Sequence, residues 1–193
     1  MKYLYTILLL TSLLSTPSYS QDMKEAYFAG GCFWCMEAPF ESAPGVEAAV
    51  SGFAGGEEEF PTYEEVSSGS TGHREAVRVT YDADIISYEE LLEIFWKQID
   101  PTDNGGQFVD RGFHYTTAIF YSSDLEREAA ERSKNYHEER GTFGDPIVTP
   151  ILPLTTFYRA EEEHQDYYKN HKLKYKYYRN RSGRDEYLKK IWE

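Results

Sequence analysis

Hydrophobic and polar positions alternate most cleanly in "REAVRVTYD", residues 74–82, which puts Val77, Val79 and Tyr81 on one face and predicts a strand. "KEAYFAGG" and "GVEAAVSGFAGG" alternate more weakly and close on glycines, so both read as strands entering tight turns. The period changes in "SYEELLEIFWKQ", where Leu91, Leu92, Ile94 and Phe95 recur at helical spacing behind Ser87 and Glu90, a capping box. "FWCMEAPFES" suits a helix, with Pro39 allowed only in its first turns or at a kink. One helical turn is predicted over residues 63–66. "DPTDNGGQFVDRGFH" reads as a long loop, "YTTAIFY" as a strand, and Ser123 with Glu126 as the cap of a helix running through "EERG". "PIVTPILPL" suits an edge strand because of its prolines, and "AEEEHQDYY" a last short helix. Strands and helices mix without strict alternation, so the class is α+β, and 193 residues without a long apolar span predict a single domain.

The first 20 residues read differently. Lys2, an apolar run over residues 3–14, and small residues at Ser18 and Ser20 make a secretory signal, too short for a comfortable membrane span. The expected mature domain is therefore residues 21–193, exported to the periplasm or the medium, with no stable membrane insertion after cleavage. Removing Lys2 with the signal moves the formal net charge from -13 to -14. Such acidity argues against nucleic-acid binding. A basic, aromatic tail from about residue 169, "KNHKLKYKYYRNRSGRDEYLKK", departs from it. Its plainer reading is a solvated segment packing its tyrosines on an acidic body, its sharper one a binding surface for RNA or another polyanion.

The chemistry concentrates in "GGCFWC". Cys32 and Cys35 are the only two cysteines of the chain. A bridge between them would close too small a loop to stabilise much, and zinc wants four ligands where no second cysteine pair exists. Redox or nucleophilic chemistry remains. Glycines before Cys32 let the chain turn sharply, and the unpaired N–H groups of a helix start are expected to face its sulfur and lower its pKa. Cys35, one turn on, is within reach as a resolving partner. Phe33 and Trp34 suit either a pocket for an apolar group such as a methyl or ordinary core. A general thiol–disulfide oxidoreductase, or a noncatalytic module acting through the tail, stays open on these residues alone.

"GGCFWC", "PTYEEV", "TGHREAVRVTYD", "ISYEELLEIFW", "DRGFHYTTAIFY" and "FYRAEEEHQDYY", in that order over residues 26–168, resemble the A-type peptide methionine sulfoxide reductases. The resemblance implies a two-layer α/β sandwich with a mixed sheet and reduction of the S epimer of methionine sulfoxide, free or in peptides. It implies no metal or organic cofactor, a thioredoxin-like or other thiol reductant as partner, and a monomer. It places the nucleophile on Cys32, the methyl-receiving walls on Phe33 and Trp34, and the acid on Glu75. The hydroxyl donors fall on Tyr63 and Tyr115, and the aspartate shaping the polar side of the pocket on Asp110. Without the resemblance, Glu75 reads as an exposed charge between Arg74 and Arg78. Many family members resolve the oxidised cysteine from a C-terminal tail, whereas this chain has no cysteine after Cys35. Either Cys35 attacks Cys32 or an external thiol does so directly. N-terminal sequencing of exported protein is expected to begin near Gln21; material starting at Met1 would refute the cleavage.

Overall fold

The computed structural model describes residues 22–193, and the predicted signal lies outside the described residues. Its strands are β1 (Met23–Gly30), β2 (Val46–Ala54), β3 (Arg74–Asp82), the short β4 (Gly106–Gln107) and β5 (Asp110–Arg111), β6 (Thr117–Tyr121), β7 (Ile151–Pro153) and β8 (Phe157–Arg159). Its helices are α1 (Trp34–Glu41), α2 (Tyr63–Ser67), α3 (Tyr88–Trp96), α4 (Asp124–Glu139), α5 (Tyr167–Asn170), α6 (Lys172–Arg181) and α7 (Arg184–Trp192). Six strands form one mixed sheet in the order β7-β6-β1-β3-β2-β8. Only β6 and β7 run parallel. The fold is α+β, as expected. No helix among the described residues is long and apolar enough to cross a membrane.

Register explains the core. Phe28 lies opposite Val77 on one side and Ile119 on the other, which lines up one apolar face across three strands. That face meets Met36 and Phe40 of α1 and Leu91, Leu92 and Phe95 of α3, all fully buried. Phe28 stacks on Phe40 at 5.1 Å and on Phe95 at 5.2 Å. Burying each such side chain contributes roughly 1.5–3 kcal/mol. The opposite face carries mostly small residues, Ala29, Ala54, Ala76 and Ala118, under Leu152, Leu154 and Phe157. The expected capping box, Ser87 with Glu90 before α3, is formed, and the structure adds a second, Thr62 with Glu65 before α2. Ser123 caps α4 by accepting from the Glu126 N–H.

Three readings change. The loop over residues 100–114 contains the β4–β5 ribbon, paired Gly106 to Arg111. "AEEEHQDYY" is a 3-10 turn, Glu162–His164, and then a break at Asp166 in the left-handed region (φ 52°), because Gln165 is drawn aside to the sheet. Its amide accepts from the Ser51 N–H at 3.1 Å and donates to the Ser51 carbonyl at 2.9 Å, extending the pairing edge of β2 past β8. The basic tail is neither irregular nor merely solvated: it forms α6 and α7, and Arg184 is fully buried.

Pro39 stands in the second turn of α1, where its missing N–H leaves the Cys35 carbonyl without the usual helical partner. The Arg179 guanidinium of α6 donates to that carbonyl at 3.2 Å. The tail thus completes the first helix. Close packing also governs the far edge, where a Cβ on Gly52 would lie 2.3 Å from both the Tyr158 carbonyl oxygen and the Phe157 ring. Gly52→Ala is expected to cost about 1–3 kcal/mol by prising β8 from β2. An unchanged urea midpoint would show that this contact yields freely.

Candidate active site

β1 ends at Gly30, and Gly31 turns the chain at φ +84°; a side chain there would meet the Gln107 Cβ at 2.7 Å. The turn drops Cys32 and Phe33 against the start of β3. Glu75 faces the same side of the sheet as Val77 and is only 1% exposed, so it is not the surface charge that composition suggests. Its carboxyl accepts from the Phe33 N–H at 3.0 Å. Burial pushes Glu75 up to about 8, against that hydrogen bond, with Asp110 and Cys35 adding to the rise. The carboxyl is thus a neutral proton store at physiological pH.

The expected helix-start effect on Cys32 is not what the structure builds. The N–H of Phe33, the residue capping α1, serves Glu75 rather than the sulfur. The Cys32 thiol is pushed well up, first by burial, then by its hydrogen bond to Cys35 and by the charges of Cys35 and Glu75; a hydrogen bond from Tyr178 opposes this. Cys35 moves the other way, to about 7, through the hydrogen bond from Cys32 against its own burial, helped by Arg184 and Arg179. The two sulfurs are hydrogen-bonded to one another, and the neighbouring arginines favour the anion on Cys35 over Cys32. Both cysteines are free and buried.

The aromatic walls form one cluster. Phe33 is buried, with Tyr63 stacked 6.2 Å away and Phe53 6.0 Å away. Trp34 is half-buried and lies flat on Tyr167 at 3.8 Å, with the Tyr178 ring edge-on at 6.3 Å. Tyr63 opens α2, anchored by its own N–H to the Glu161 carboxylate at 2.8 Å, and its hydroxyl hydrogen-bonds that of Tyr115. Tyr115 sits in a 3-10 turn just before β6, not in the strand itself. Burial pushes Tyr63 up to about 12 and Tyr115 higher, so both remain proton donors. Asp110, at the start of β5, accepts a short hydrogen bond from Tyr178 and is raised by burial despite it.

All eight residues singled out in the sequence thus gather where β1 ends and β3 begins. The model of the peptide methionine sulfoxide reductase family matches residues 24–193. The chain belongs to this family. It is 55% identical over 170 residues to the peptide methionine sulfoxide reductase MsrA of Halalkalibacterium halodurans, covering 88% of this chain and 97% of that one. With the Bacillus licheniformis MsrA it shares 57% over 167 residues, 86% and 92% of the two chains. Among solved structures, methionine sulfoxide reductase A of Corynebacterium diphtheriae superposes with a TM-score of 0.70 at 33% identity, over 84% of this chain and 81% of that one.

Membership in the peptide methionine sulfoxide reductases extends through the tail, beyond the blocks that first suggested it. The tail also brings residues that motif reading passed over. Tyr178 reaches both Asp110 and the Cys32 sulfur. His164, buried and kept neutral by desolvation, lies 4.1 Å from the Tyr63 ring and 5.4 Å from Phe33. "EHQDYY" carried the only signal for His164 and Tyr167; nothing local marks Tyr178.

The Glu75 proton has a measurable cost to stability. Below 4.5 both folded and unfolded chains hold it; between 4.5 and 8 the unfolded chain releases it first, so stability falls as pH rises through that window. Glu75→Gln is expected to melt higher than the parent above that window, with the difference vanishing below 4.5. A pH-independent difference in Tm would refute a buried neutral acid.

Proposed function

We propose that this enzyme reduces the S epimer of methionine sulfoxide, free or in peptides and proteins, to methionine. The observation that carries the reading is one convergence: a buried thiol, a neutral buried carboxyl and two linked phenols around a wall of rings. Phe33 and Trp34 receive the S-methyl group, while Tyr63 and Tyr115 hydrogen-bond the sulfoxide oxygen as negative charge develops on it. The Cys32 sulfur attacks the sulfoxide sulfur as its proton passes to the hydrogen-bonded Cys35 sulfur. Glu75 delivers its proton to the oxygen, which would otherwise be a very poor leaving group. The protonated oxygen then moves from the methionine sulfur to the Cys32 sulfur as the sulfur–sulfur bond formed in the attack breaks, leaving Cys32 a sulfenic acid and releasing methionine. Sulfoxide sulfur is reduced by two electrons, and the cysteine sulfur is oxidised by two.

Recycling follows from the same short motif. Cys35, hydrogen-bonded to Cys32, attacks the sulfenic sulfur and expels water, leaving a disulfide that a thioredoxin-like or other external dithiol reduces. A general disulfide exchanger fits less well, because the two residues between the cysteines are the large rings of Phe33, buried, and Trp34, stacked on Tyr167. A polyanion-binding role for the tail fits less well too, since its Tyr178 and Arg184 are turned inward. The reading takes the mature protein to be an exported monomer.

Cys32→Ser is expected to abolish reduction of a methyl sulfoxide. Glu75→Gln is expected to lower kcat by about 10²–10⁴-fold and to erase the decline of activity above about 8. Cys35→Ser should release one methionine per enzyme and then stall as a trappable sulfenic acid on Cys32. Full turnover by Cys32→Ser sinks the assignment. Persistent sulfenic acid in the parent enzyme, with Cys35 still reduced, removes only the internal recycling.

A further inference from the structure

Arg184 is the first residue of α7 and is fully buried. Its guanidinium donates to the Gly30 carbonyl at 3.1 Å and to the Gln98 carbonyl, lies 3.8 Å from the Met36 sulfur, and covers the Phe108 ring at 4.8 Å. Its Nε has no partner, and among the described residues no carboxylate forms an ion pair with it. A buried cation held only by neutral groups is costly, typically by several kcal/mol, and calls for an anion nearby. The contacts bracket the reactive motif, Gly30 before Cys32 and Met36 after Cys35. The second tail arginine, Arg179, is on the Cys35 carbonyl that Pro39 leaves free, and its own charge is already met by Asp185 at 2.8 Å.

The groups that face Cys35 can be named. They are Cys32 from its own turn, Glu75 from β3, Asp110 from β5, Tyr175, Tyr178 and Arg179 from α6, and Arg184 from α7. Of the potential anions, Glu75 holds its proton, while Asp110, raised by burial, is pulled back toward its charged form by Tyr178 and by Arg184 itself. Of the two sulfurs, Cys35 is the one whose anion Arg184 and Arg179 favour. Asp110 and the Cys35 sulfur are thus the two groups that can balance Arg184. We infer that Arg184, assisted by Arg179, is a positioning residue that keeps the negative charge of the cysteine pair on Cys35, making the C-terminal segment a working part of the thiol relay. This rests on the reading of Cys35 as the resolving thiol. In that step Cys35 passes the proton it took from Cys32 to Glu75, which the reduction has emptied; the Cys35 thiolate gives an electron pair to the Cys32 sulfur, the sulfur–oxygen bond breaks, and the departing hydroxide takes that proton from Glu75 to leave as water.

The test follows one turnover on a single equivalent of methyl sulfoxide. Samples are quenched over time with a cyclic diketone that caps sulfenic acid, and the capped and disulfide forms are weighed by mass spectrometry across a pH series. In the parent enzyme disulfide formation is expected to rise through about 7. In Arg184→Met the sulfenic acid should persist, disulfide formation near neutrality should slow by about tenfold or more, and the midpoint should move up by about one unit, with the rate recovering at alkaline pH. Arg184→Lys should restore most of the parent profile. A simply misshapen site would not recover on raising the pH. Should Arg184→Met fail to fold, Arg179→Gln reads the same midpoint with a smaller upward shift expected. Either folded variant with the parent's rate and midpoint overturns the inference. A parent enzyme that forms no disulfide refutes Cys35 as resolver instead; the ultraviolet thiolate absorbance of reduced parent and Arg184→Met would still show whether the arginine places the charge.

Discussion

The hydrogen bond from the Phe33 N–H to the Glu75 carboxyl joins the turn after β1 to the start of β3, and the chemistry is arranged around it. It fixes the height of the motif above the sheet. It also takes the backbone donor that a helix start would otherwise offer to the cysteine sulfur. The positive end of α1 is therefore spent on keeping a buried acid in place. Burial then does the same thing to two neighbours: it keeps Glu75 protonated and keeps Cys32 from ionising alone. A free thiolate beside a proton-loaded acid would simply take that proton. Arginines placed beside Cys35 rather than Cys32 separate the two roles.

Much of this was legible in sequence, though not always for the reasons first available. The strict alternation of β3 places Glu75 in step with Val77, Val79 and Tyr81, so its burial follows from the same period that identified the strand. Composition pulled the other way, because flanking arginines make a glutamate look solvated. Capping residues fixed the starts of α2, α3 and α4 locally. The helix-start argument for Cys32 failed because it treated the helix in isolation, and a carboxyl from a strand far along the chain claimed the donor.

What escaped was everything that depends on the chain returning late to its beginning. His164 and Tyr167 complete the ring cluster only because Gln165 hydrogen-bonds to Ser51 and turns the chain at Asp166. Arg179 answers a carbonyl freed by Pro39, a vacancy that neither segment shows by itself. Lys172, Lys174 and Lys176 are exposed as a solvated tail would have them, but Tyr178, Arg179 and Arg184 point inward, so the charge pattern of the segment blends two environments. Pattern reading cannot separate them without the packing.

The hydrogen bond from Arg184 to the Gly30 carbonyl spans 154 positions of the chain, which has a consequence for folding. A contact of such separation closes late, because its loop entropy is met only once the intervening strands have paired. The two thiols therefore meet their cation only in a chain that has already built its sheet.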